Sequence, residues 1–442
     1  MHASHNFCLE AKWIIPVDYT NSEKILNDHA ILVEKQLIKD ILPIEAARTK
    51  YSNVPRKTLD QHAVLPGFIN SHSHSPMNLL KGYADDLPLM TWLNDYIWPI
   101  EDKFFSAEFA FDGAILAIAE MLLSGITCFN DMYFYSDSIA EAVIKTGIRA
   151  NIGTHVFDPP TAWANNINEY LSHCQNVLTN YKHHLITPVV CPHAPYTLSD
   201  DSFKKVIKFA EKHHLQIGCH LHETVDEINQ SLNQYHIRPI ERLNKLGLFD
   251  QNLYAIHMVH LNQTEIELIA TKNISIAHCP KSNLKLASGF CPIKNLLDHK
   301  INIALGTDSA ASNNDLDMLS EIKMSSFVTK MLSNNPTILP AHQAIAMATI
   351  NGAKLMQLDK KIGSLTIGKE ADIIAINLSD YGSQPVYNPL SSIVYTATRQ
   401  QISDVWVNGV HKVAEHKLLN LDKNYIQNIV NKWQERIVNY KN

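Results

Sequence analysis

The pair His72-Ser73-His74 is the first feature of this sequence that can do chemistry. Alternate side chains of an extended strand point to the same side, so both imidazoles can bind one metal ion. With 23 histidines in 442 residues, about one such pair is expected by chance, so its position must carry the inference. His220 and Asp308 complete a nitrogen-rich donor set. We expect this set to hold one divalent ion per subunit, Zn²⁺ before Fe²⁺ or Mn²⁺.

Water activated by a metal needs proton carriers beside it, and three side chains can divide that work. Asp308, a ligand with a spare oxygen, can accept the proton of the water, while His257 can hold or polarise the hydroxide. Glu223, three residues after His220, can pass a proton to the ring nitrogen beside the attacked carbon, so that ammonia leaves. The alternative interpretation of Glu223 is a solvated residue at the start of a helix.

Eight apolar, β-branched runs recur along the chain and are separated by stretches of helical periodicity. Helical patterns lie at residues 109–123 and 200–212. Eight strand and helix repeats predict a (β/α)₈ TIM-type barrel. The runs are residues 64–70, 126–130, 148–153, 186–191, 215–220, 253–257, 274–278 and 301–305.

In such a barrel, polar side chains at the carboxyl ends of the strands point into the mouth. The first run leads into His72 and His74, and the fifth ends at His220. The sixth ends at His257, and the eighth leads into Asp308. The predicted barrel therefore brings these side chains together from four strands.

A second ion in such a mouth usually needs a bridging group, such as a carboxylated lysine at the fourth strand. Residues 187–193 contain no lysine. One ion is therefore the simpler interpretation. His278 and Cys279 end the seventh run and resemble a ligand pair, but four ligands are already assigned, so we interpret them as packing or support.

The two ends of the chain lack the barrel rhythm and show short alternating segments at residues 31–35 and 371–376. We expect both ends to form one small β-sandwich domain, with a hairpin turn at Asn408-Gly409. The predicted domains are residues 1–63 and 363–442 for the β domain, and 64–362 for the barrel. A terminal helix is expected at residues 422–440.

The charge and composition of the chain indicate which classes of partner it binds. The net charge of −6 lacks long runs of one sign, which argues against nucleic acid. The seven cysteines form no CxxC pair, and neither a signal peptide nor an apolar run of membrane length is seen. We expect a cytoplasmic protein that binds a small molecule, not a membrane, and forms a homo-oligomer.

Several motifs resemble the amidohydrolase superfamily along nearly the whole chain. More narrowly, they are similar to 5-methylthioadenosine/S-adenosylhomocysteine deaminases, members of the TRZ/ATZ hydrolases. The matching segments are residues 65–74, 82–90, 98–101, 192–197, 220–223, 283–289, 306–308 and 363–372.

The resemblance implies hydrolytic deamination of 5′-methylthioadenosine, S-adenosylhomocysteine or adenosine to the inosine analogue and ammonia. It implies substrate contacts by Glu101, His193, Glu223 and Asp308. A carboxylate such as Glu101 can accept hydrogen bonds from both ribose hydroxyls, which favours a nucleoside over a free base.

The loop after the third run departs from some family members, which carry an arginine there for the carboxylate of the homocysteine tail. Residues 153–163 contain no arginine, so recognition of that carboxylate is unsupported at this place. Phe157 and Trp163 instead favour the apolar methylthio group.

Two alternatives stay open at this point. The same machinery can act on another ring, such as guanine, cytosine, a triazine or an N-formimino compound, because one barrel serves many substrates through its loops. The other alternative is a catalytically inactive barrel used as a scaffold. The intact set of His72, His74, Glu223, His257 and Asp308 argues against it.

Overall fold

The computed structural model describes residues 6–18 and 23–441. It divides into two compact units. One contains Met1–Asn70, Ala119–Cys128 and Asp317–Asp422, and the other contains Ser71–Ile118, Phe129–Leu316 and Lys423–Asn442. The domain boundaries predicted after residues 63 and 362 stay predictions.

The strands of the described residues form two sheets of eight strands each. In chain order they are β1 (Phe7–Ile14), β2 (Leu26–Glu34), β3 (Leu37–Pro43), β4 (Arg56–Pro66), β5 (Phe68–Ser73), β6 (Ile126–Tyr133), β7 (Arg149–Val156), β8 (Ile186–Pro192), β9 (Gln216–Leu221), β10 (Leu253–His257), β11 (Ser275–His278), β12 (Ile303–Leu305), β13 (Ile373–Asn377), β14 (Ile402–Val407), β15 (Val410–Ala414) and β16 (Lys417–Leu418).

The helices alternate with the strands through the middle of the chain. They are α1 (Ile44–Lys50), α2 (Leu89–Thr91), α3 (Trp98–Phe104), α4 (Ala107–Leu123), α5 (Ser136–Thr146), α6 (Ile167–Asn180), α7 (Asp200–His213), α8 (Val225–Tyr235), α9 (Pro239–Lys245), α10 (Gln263–Thr271), α11 (Pro280–Lys285), α12 (Ile293–Asp298), α13 (Ala310–Asn313), α14 (Met318–Leu332), α15 (Ala341–Met347), α16 (Ile350–Leu355), α17 (Pro389–Tyr395) and α18 (Lys423–Lys441). Short 3₁₀ turns lie at Ser75–Leu80, Leu248–Asp250 and Arg399–Gln401, and a π turn lies at Trp92–Ile97.

One sheet is mixed and takes strands from both ends of the chain, in the order β16-β15-β14-β13-β4-β1-β2-β3. β4 pairs in parallel with β1 and antiparallel with β13, so it joins the two ends. Neighbouring residues of β1 pack into different clusters, Leu9 on one face and Cys8 on the other. This alternation follows from the period of two in a strand that is covered on both faces.

The predicted hairpin turn is confirmed. β14 and β15 pair antiparallel, and Val407 lies opposite Val410. Asn408 and Gly409 have φ angles of 50° and 71°, the left-handed pair that a two-residue hairpin turn requires.

The second sheet is parallel, and its strands follow the chain order from β5 to β12. Every residue of β5, β6, β7, β9 and β10 is buried, as expected for parallel strands that are covered on both faces. The expected fold class, a TIM-type barrel with a small β domain from both termini, is confirmed.

The first predicted barrel strand, residues 64–70, is wrong in its bounds. β4 ends at Pro66 within the mixed sheet, and β5 begins only at Phe68. Gly67 allows the change of sheet, because a Cβ atom there would lie 2.1 Å from Oγ1 of Thr127. The unbroken apolar run hides this break, since both strands are buried.

The predicted helix at residues 200–212 is confirmed as α7, and Ser199 caps it by accepting from the backbone N–H of Ser202. α4 and α18 match the other two predicted helices. Among residues 6–18 and 23–441, no helix has the length and apolar character needed to cross a bilayer. All seven cysteines are buried and free of disulfides.

We expect Gly67→Ala to lower the melting temperature by about 2–5 °C, because the added methyl group must displace the Thr127 side chain from a packed core. Differential scanning calorimetry would measure the shift. Gly382→Ala is the matched control, since Gly382 is exposed and its Cβ would meet only Oδ1 of Asp380, at 3.1 Å. Equal melting temperatures for the two variants would contradict the close contact.

Candidate active site

The predicted metal ligands lie at the carboxyl ends of three parallel strands. His72 lies within the last residues of β5 and His74 directly follows that strand, while His220 belongs to β9 and Asp308 follows β12. All four side chains are buried. The structure thus brings together residues that are far apart in the sequence, and their role as ligands stays a prediction.

The distances among these groups are short. Oδ1 of Asp308 lies 3.3 Å from Nε2 of His72 and 3.3 Å from Nε2 of His74. Nε2 of His72 lies 3.2 Å from Nε2 of His220. Two clusters that could hold an ion share His72: one adds His74 and Asp308, and the other adds His220 and His257, with ligand atoms within 4.8 Å of one another.

Two of the imidazoles are fixed in one tautomer. Nδ1 of His74 lies 2.6 Å from the carbonyl oxygen of Met132, and Nδ1 of His220 lies 2.8 Å from the carbonyl oxygen of His193. Because a carbonyl only accepts, Nδ1 carries a hydrogen in each ring, so Nε2 presents a lone pair when the ring is neutral. Lone pairs and a carboxylate that face one another fit a cation.

Burial favours the neutral form of two of the candidate ligands, whereas the nearby Asp308 carboxylate overcomes the effect of burial and raises the pKa of His74. Burial lowers the pKa of His72 to about 4 and holds the pKa of His220 well below its usual value, so both rings are neutral at pH 7. Burial alone would raise the pKa of Asp308, but the imidazoles of His72 and His74, whose Nε2 atoms lie 3.3 Å from Oδ1, hold it well below the usual value. Asp308 is therefore ionised.

The backbone around Asp308 is strained and firmly held. Asp308 has a φ angle of 62°, and its N–H donates to the carbonyl oxygen of His72 at 3.0 Å. Its carboxylate accepts from Oγ of Ser282 at 2.6 Å and from the N–H of Ser309 at 2.8 Å. Gly306 is required for this approach, because a Cβ atom there would lie 2.8 Å from the nitrogen of His72. Such strain at a strand end is typical of a functional site.

Glu223 and His257, the predicted proton carriers, face each other with 3.7 Å between Oε2 and Nε2. Burial raises the pKa of Glu223, so its protonated form persists closer to neutral pH. The carboxylate of Glu227 accepts from the N–H groups of His222 and Glu223 at 2.8 and 2.9 Å, which fixes the backbone under Glu223. Nδ1 of His257 lies 2.9 Å from Oδ1 of Asn283.

Glu101, the predicted ribose contact, lies in α3 and is only 6% exposed. Burial raises its pKa to about 7, although the hydrogen bond from the Tyr133 hydroxyl, at 2.5 Å, favours the carboxylate. His193 follows β8 and stacks on Phe157 with 4.4 Å between ring centroids. Burial lowers the pKa of His193 to about 3, so it meets a substrate as a neutral ring.

These groups share one inner pocket of about 80 Å³. His72 is fully buried and does not line it. The pocket wall includes the other seven predicted site residues: His74, Glu101, His193, His220, Glu223, His257 and Asp308.

Sequence reasoning did not single out His155, which also lines this pocket and is 4% exposed. Neither ring nitrogen has a partner among the described residues, and burial holds its pKa well below the usual value. Its position near the end of β7 is the signal that would have identified it, by the rule applied to the other strands.

His278, interpreted as packing or support, is fully buried at the end of β11. Its ring lies edge-on to Phe290 with 4.7 Å between centroids. Tyr133, Glu227 and Asn283 were missed as supporting residues. The partners of Tyr133 and Asn283 are distant in the sequence, so no local pattern indicates them. Glu227 contacts N–H groups only four and five residues earlier, and its position three residues after the capping Thr224 is a local signal.

The chain is similar to known proteins over nearly its whole length. The model of the amidohydrolase family matches residues 63–411. A 5-methylthioadenosine/S-adenosylhomocysteine deaminase of Teredinibacter turnerae is 41% identical over 433 residues, which cover 98% of each chain. A protein of the same name from Saccharophagus degradans is 40% identical over 430 residues, 97% of this chain and 96% of its own length.

A solved structure agrees with these relatives. The crystal structure of an adenosine deaminase from Xanthomonas campestris, with bound zinc, superposes with a TM-score of 0.95 at 39% identity. The match covers 98% of this chain and 99% of that chain. The match to the family model, the similarity to full-length relatives and the shared fold all indicate the same family. The chain belongs to the amidohydrolase family.

Proposed function

We propose that this protein hydrolytically deaminates an adenine nucleoside, 5′-methylthioadenosine or S-adenosylhomocysteine, with adenosine as a related substrate. The observation that carries the proposal is the convergence of His74, His220, Asp308, Glu223 and Glu101 on one pocket. The names of the full-length relatives support it. The products are the inosine analogue and ammonia.

We infer that His72, His74, His220 and Asp308 hold one divalent ion. A site with three imidazoles and one carboxylate favours Zn²⁺, and Fe²⁺ or Mn²⁺ are the other candidates. Such an ion, when bound, lowers the pKa of a water molecule so that it becomes a nucleophile at neutral pH.

The protein's own side chains then move the protons. Asp308 accepts a proton from the attacking water, and His257 orients that water. Glu223 donates a proton to the ring nitrogen beside the attacked carbon, which allows the C–O bond to form without charge building up on the ring. The amino group takes the proton that Asp308 accepted and leaves as ammonia. The hydroxyl group on the attacked carbon gives its proton to Glu223 as the carbonyl of the product forms, so both side chains return to their starting states.

The substrate is held by groups on other elements. The Glu101 carboxylate accepts from the two ribose hydroxyls, and Tyr133 fixes its orientation through their hydrogen bond. His193, held by Oγ1 of Thr197 at 3.2 Å, presents a neutral ring to the purine or ribose edge. Exclusion of water from this buried pocket strengthens each of these contacts.

We place the enzyme in the cytoplasm. All seven cysteines are buried and form no disulfide. Burial raises the pKa of Cys174 and Cys191 to about 12, so these thiols stay protonated and unreactive. Buried cysteines that form no disulfide suit a reducing compartment.

We expect His74→Ala to lose most bound metal and deaminase activity, because it removes one ligand and one of the partners of Asp308. Metal content by mass spectrometry and ammonia release would measure the two effects. His299→Ala, at the end of α12, is the matched control and should keep both. Full metal occupancy in the His74 variant would refute this ligand assignment.

Glu223→Gln should keep the metal but lower kcat by about 10²–10⁴-fold, because the amide cannot carry the proton to the ring. The control is Glu241→Gln, which alters a half-exposed carboxylate paired with Lys245 on the surface of α9. Steady-state kinetics with 5′-methylthioadenosine would measure both variants. Wild-type turnover in the Glu223 variant would remove this residue from the mechanism.

Glu101 predicts a pH dependence. Since its pKa is about 7, the carboxylate form grows as the pH rises through 7, and kcat/KM for ribosides should rise with it. Glu101→Gln should abolish this rise of kcat/KM with pH and raise KM for 5′-methylthioadenosine about tenfold or more.

The control for this assignment is Tyr133→Phe, which removes the hydrogen bond that favours the Glu101 carboxylate. Its pH–rate limb should move to higher pH. A limb that stays in place in both variants would show that another group titrates.

A further inference from the structure

A second cavity, of about 300 Å³, adjoins the inner pocket. Trp98, Glu101, Phe134 and Phe157 belong to both walls, so the two spaces meet at these side chains. The rest of the cavity wall consists of three apolar residues, Phe105, Pro159 and Pro160, and three polar ones, Asp102, Thr161 and Thr197. We call this space the outer cavity.

Glu101 sets the direction in which a nucleoside lies. The metal-ligand candidates line only the inner pocket, whereas Glu101 lines both spaces. If the base faces His74, His220 and Asp308 and the ribose hydroxyls meet Glu101, the remaining 5′ substituent extends toward the outer cavity. This placement rests on the proposed function.

The charges of the outer cavity are all of one sign. Its charged wall residues are Glu101 and Asp102, and none of its wall residues, which all belong to the described part of the chain, is lysine or arginine. Lys103, the next residue, places its ammonium 5.8 Å from the ring centre of Tyr440.

The two hydroxyl groups of the wall are already bonded. Oγ1 of Thr161 lies 2.8 Å from the hydroxyl of Tyr170, and Oγ1 of Thr197 lies 3.2 Å from Nδ1 of His193. A carboxylate in this cavity would therefore meet the acidic side chains of Glu101 and Asp102 without a lysine or arginine of the wall to pair with.

We propose that the outer cavity is a specificity site that accepts uncharged, apolar 5′ substituents and discriminates against a substituent that ends in a carboxylate. 5′-Methylthioadenosine then is a good substrate, and S-adenosylhomocysteine is a poor one. Phe157 contributes to this site as the sequence predicted. Trp163 does not line the cavity and stacks on His173, with 4.1 Å between centroids.

The size of the cavity extends the proposal to larger thioethers. One water molecule occupies roughly 30 Å³ of the liquid, so about 300 Å³ exceeds by far what the two heavy atoms of a methylthio group need. Aromatic rings and prolines offer a broad apolar wall for additional carbon atoms. Adenosines with a longer apolar 5′-thioether should therefore also be deaminated.

The test compares kcat/KM for adenosine, 5′-methylthioadenosine, 5′-isobutylthioadenosine and S-adenosylhomocysteine, by ammonia release from the metal-loaded protein. We expect the two apolar thioethers to be at least about tenfold better than S-adenosylhomocysteine. Equal values for S-adenosylhomocysteine and 5′-methylthioadenosine would overturn the inference alone. Failure to deaminate any of the four would instead refute the proposed function.

A fifth substrate isolates the carboxylate from the size of the tail. 5′-(3-Aminopropylthio)adenosine keeps an ammonium group, which Asp102 can attract, and lacks the carboxylate. It should be turned over faster than S-adenosylhomocysteine. An equally slow reaction would overturn the explanation that the carboxylate is rejected.

A matched pair of variants tests the location. Pro160 is exposed on the wall of the outer cavity, so Pro160→Arg adds a cation there and Pro160→Gln adds a polar side chain without charge. The arginine variant should raise the ratio of kcat/KM for S-adenosylhomocysteine to that for 5′-methylthioadenosine at least about fivefold. The glutamine variant should not. An unchanged ratio in the arginine variant would contradict the placement of the tail in this cavity.

Discussion

The burial of one ionised carboxylate among imidazoles is the constraint on which the rest of the site depends. Asp308 is 7% exposed, and its charge is held by His72, His74, Ser282 and the N–H of Ser309. An unpaired buried carboxylate would be strongly unfavourable, so removal of any partner destabilises the whole set. A divalent cation would satisfy the carboxylate and the imidazole lone pairs at once, in accordance with the close approach of these groups.

The fold supplies this geometry through parallel strands. Each strand of the parallel sheet ends at the same edge, so His72, His220, His257 and Asp308 meet although the chain separates them widely. Asp308 and His257 both have positive φ angles, so the backbone is strained where these side chains come together. The packing of the surrounding buried apolar strands offsets the free-energy cost of this strain.

Much of this arrangement could be predicted from the sequence, because it follows from local periodicity and the order of the strands. Strand ends carrying His72, His74, His220, His257 and Asp308 were found in this way. The break at Gly67 was missed because Val64–Pro66 and the residues after it are equally apolar although they belong to different sheets. Contacts between distant elements, such as the Tyr133 hydroxyl on Glu101, have no local signal at all.

The account is tested most directly by anomalous diffraction at the zinc absorption edge from crystals of the zinc-loaded protein. It predicts one peak per subunit, at about 2.0–2.2 Å from Nε2 of His72, His74 and His220 and from the Asp308 carboxylate. A peak bound by other side chains, or two peaks in one mouth, would contradict it.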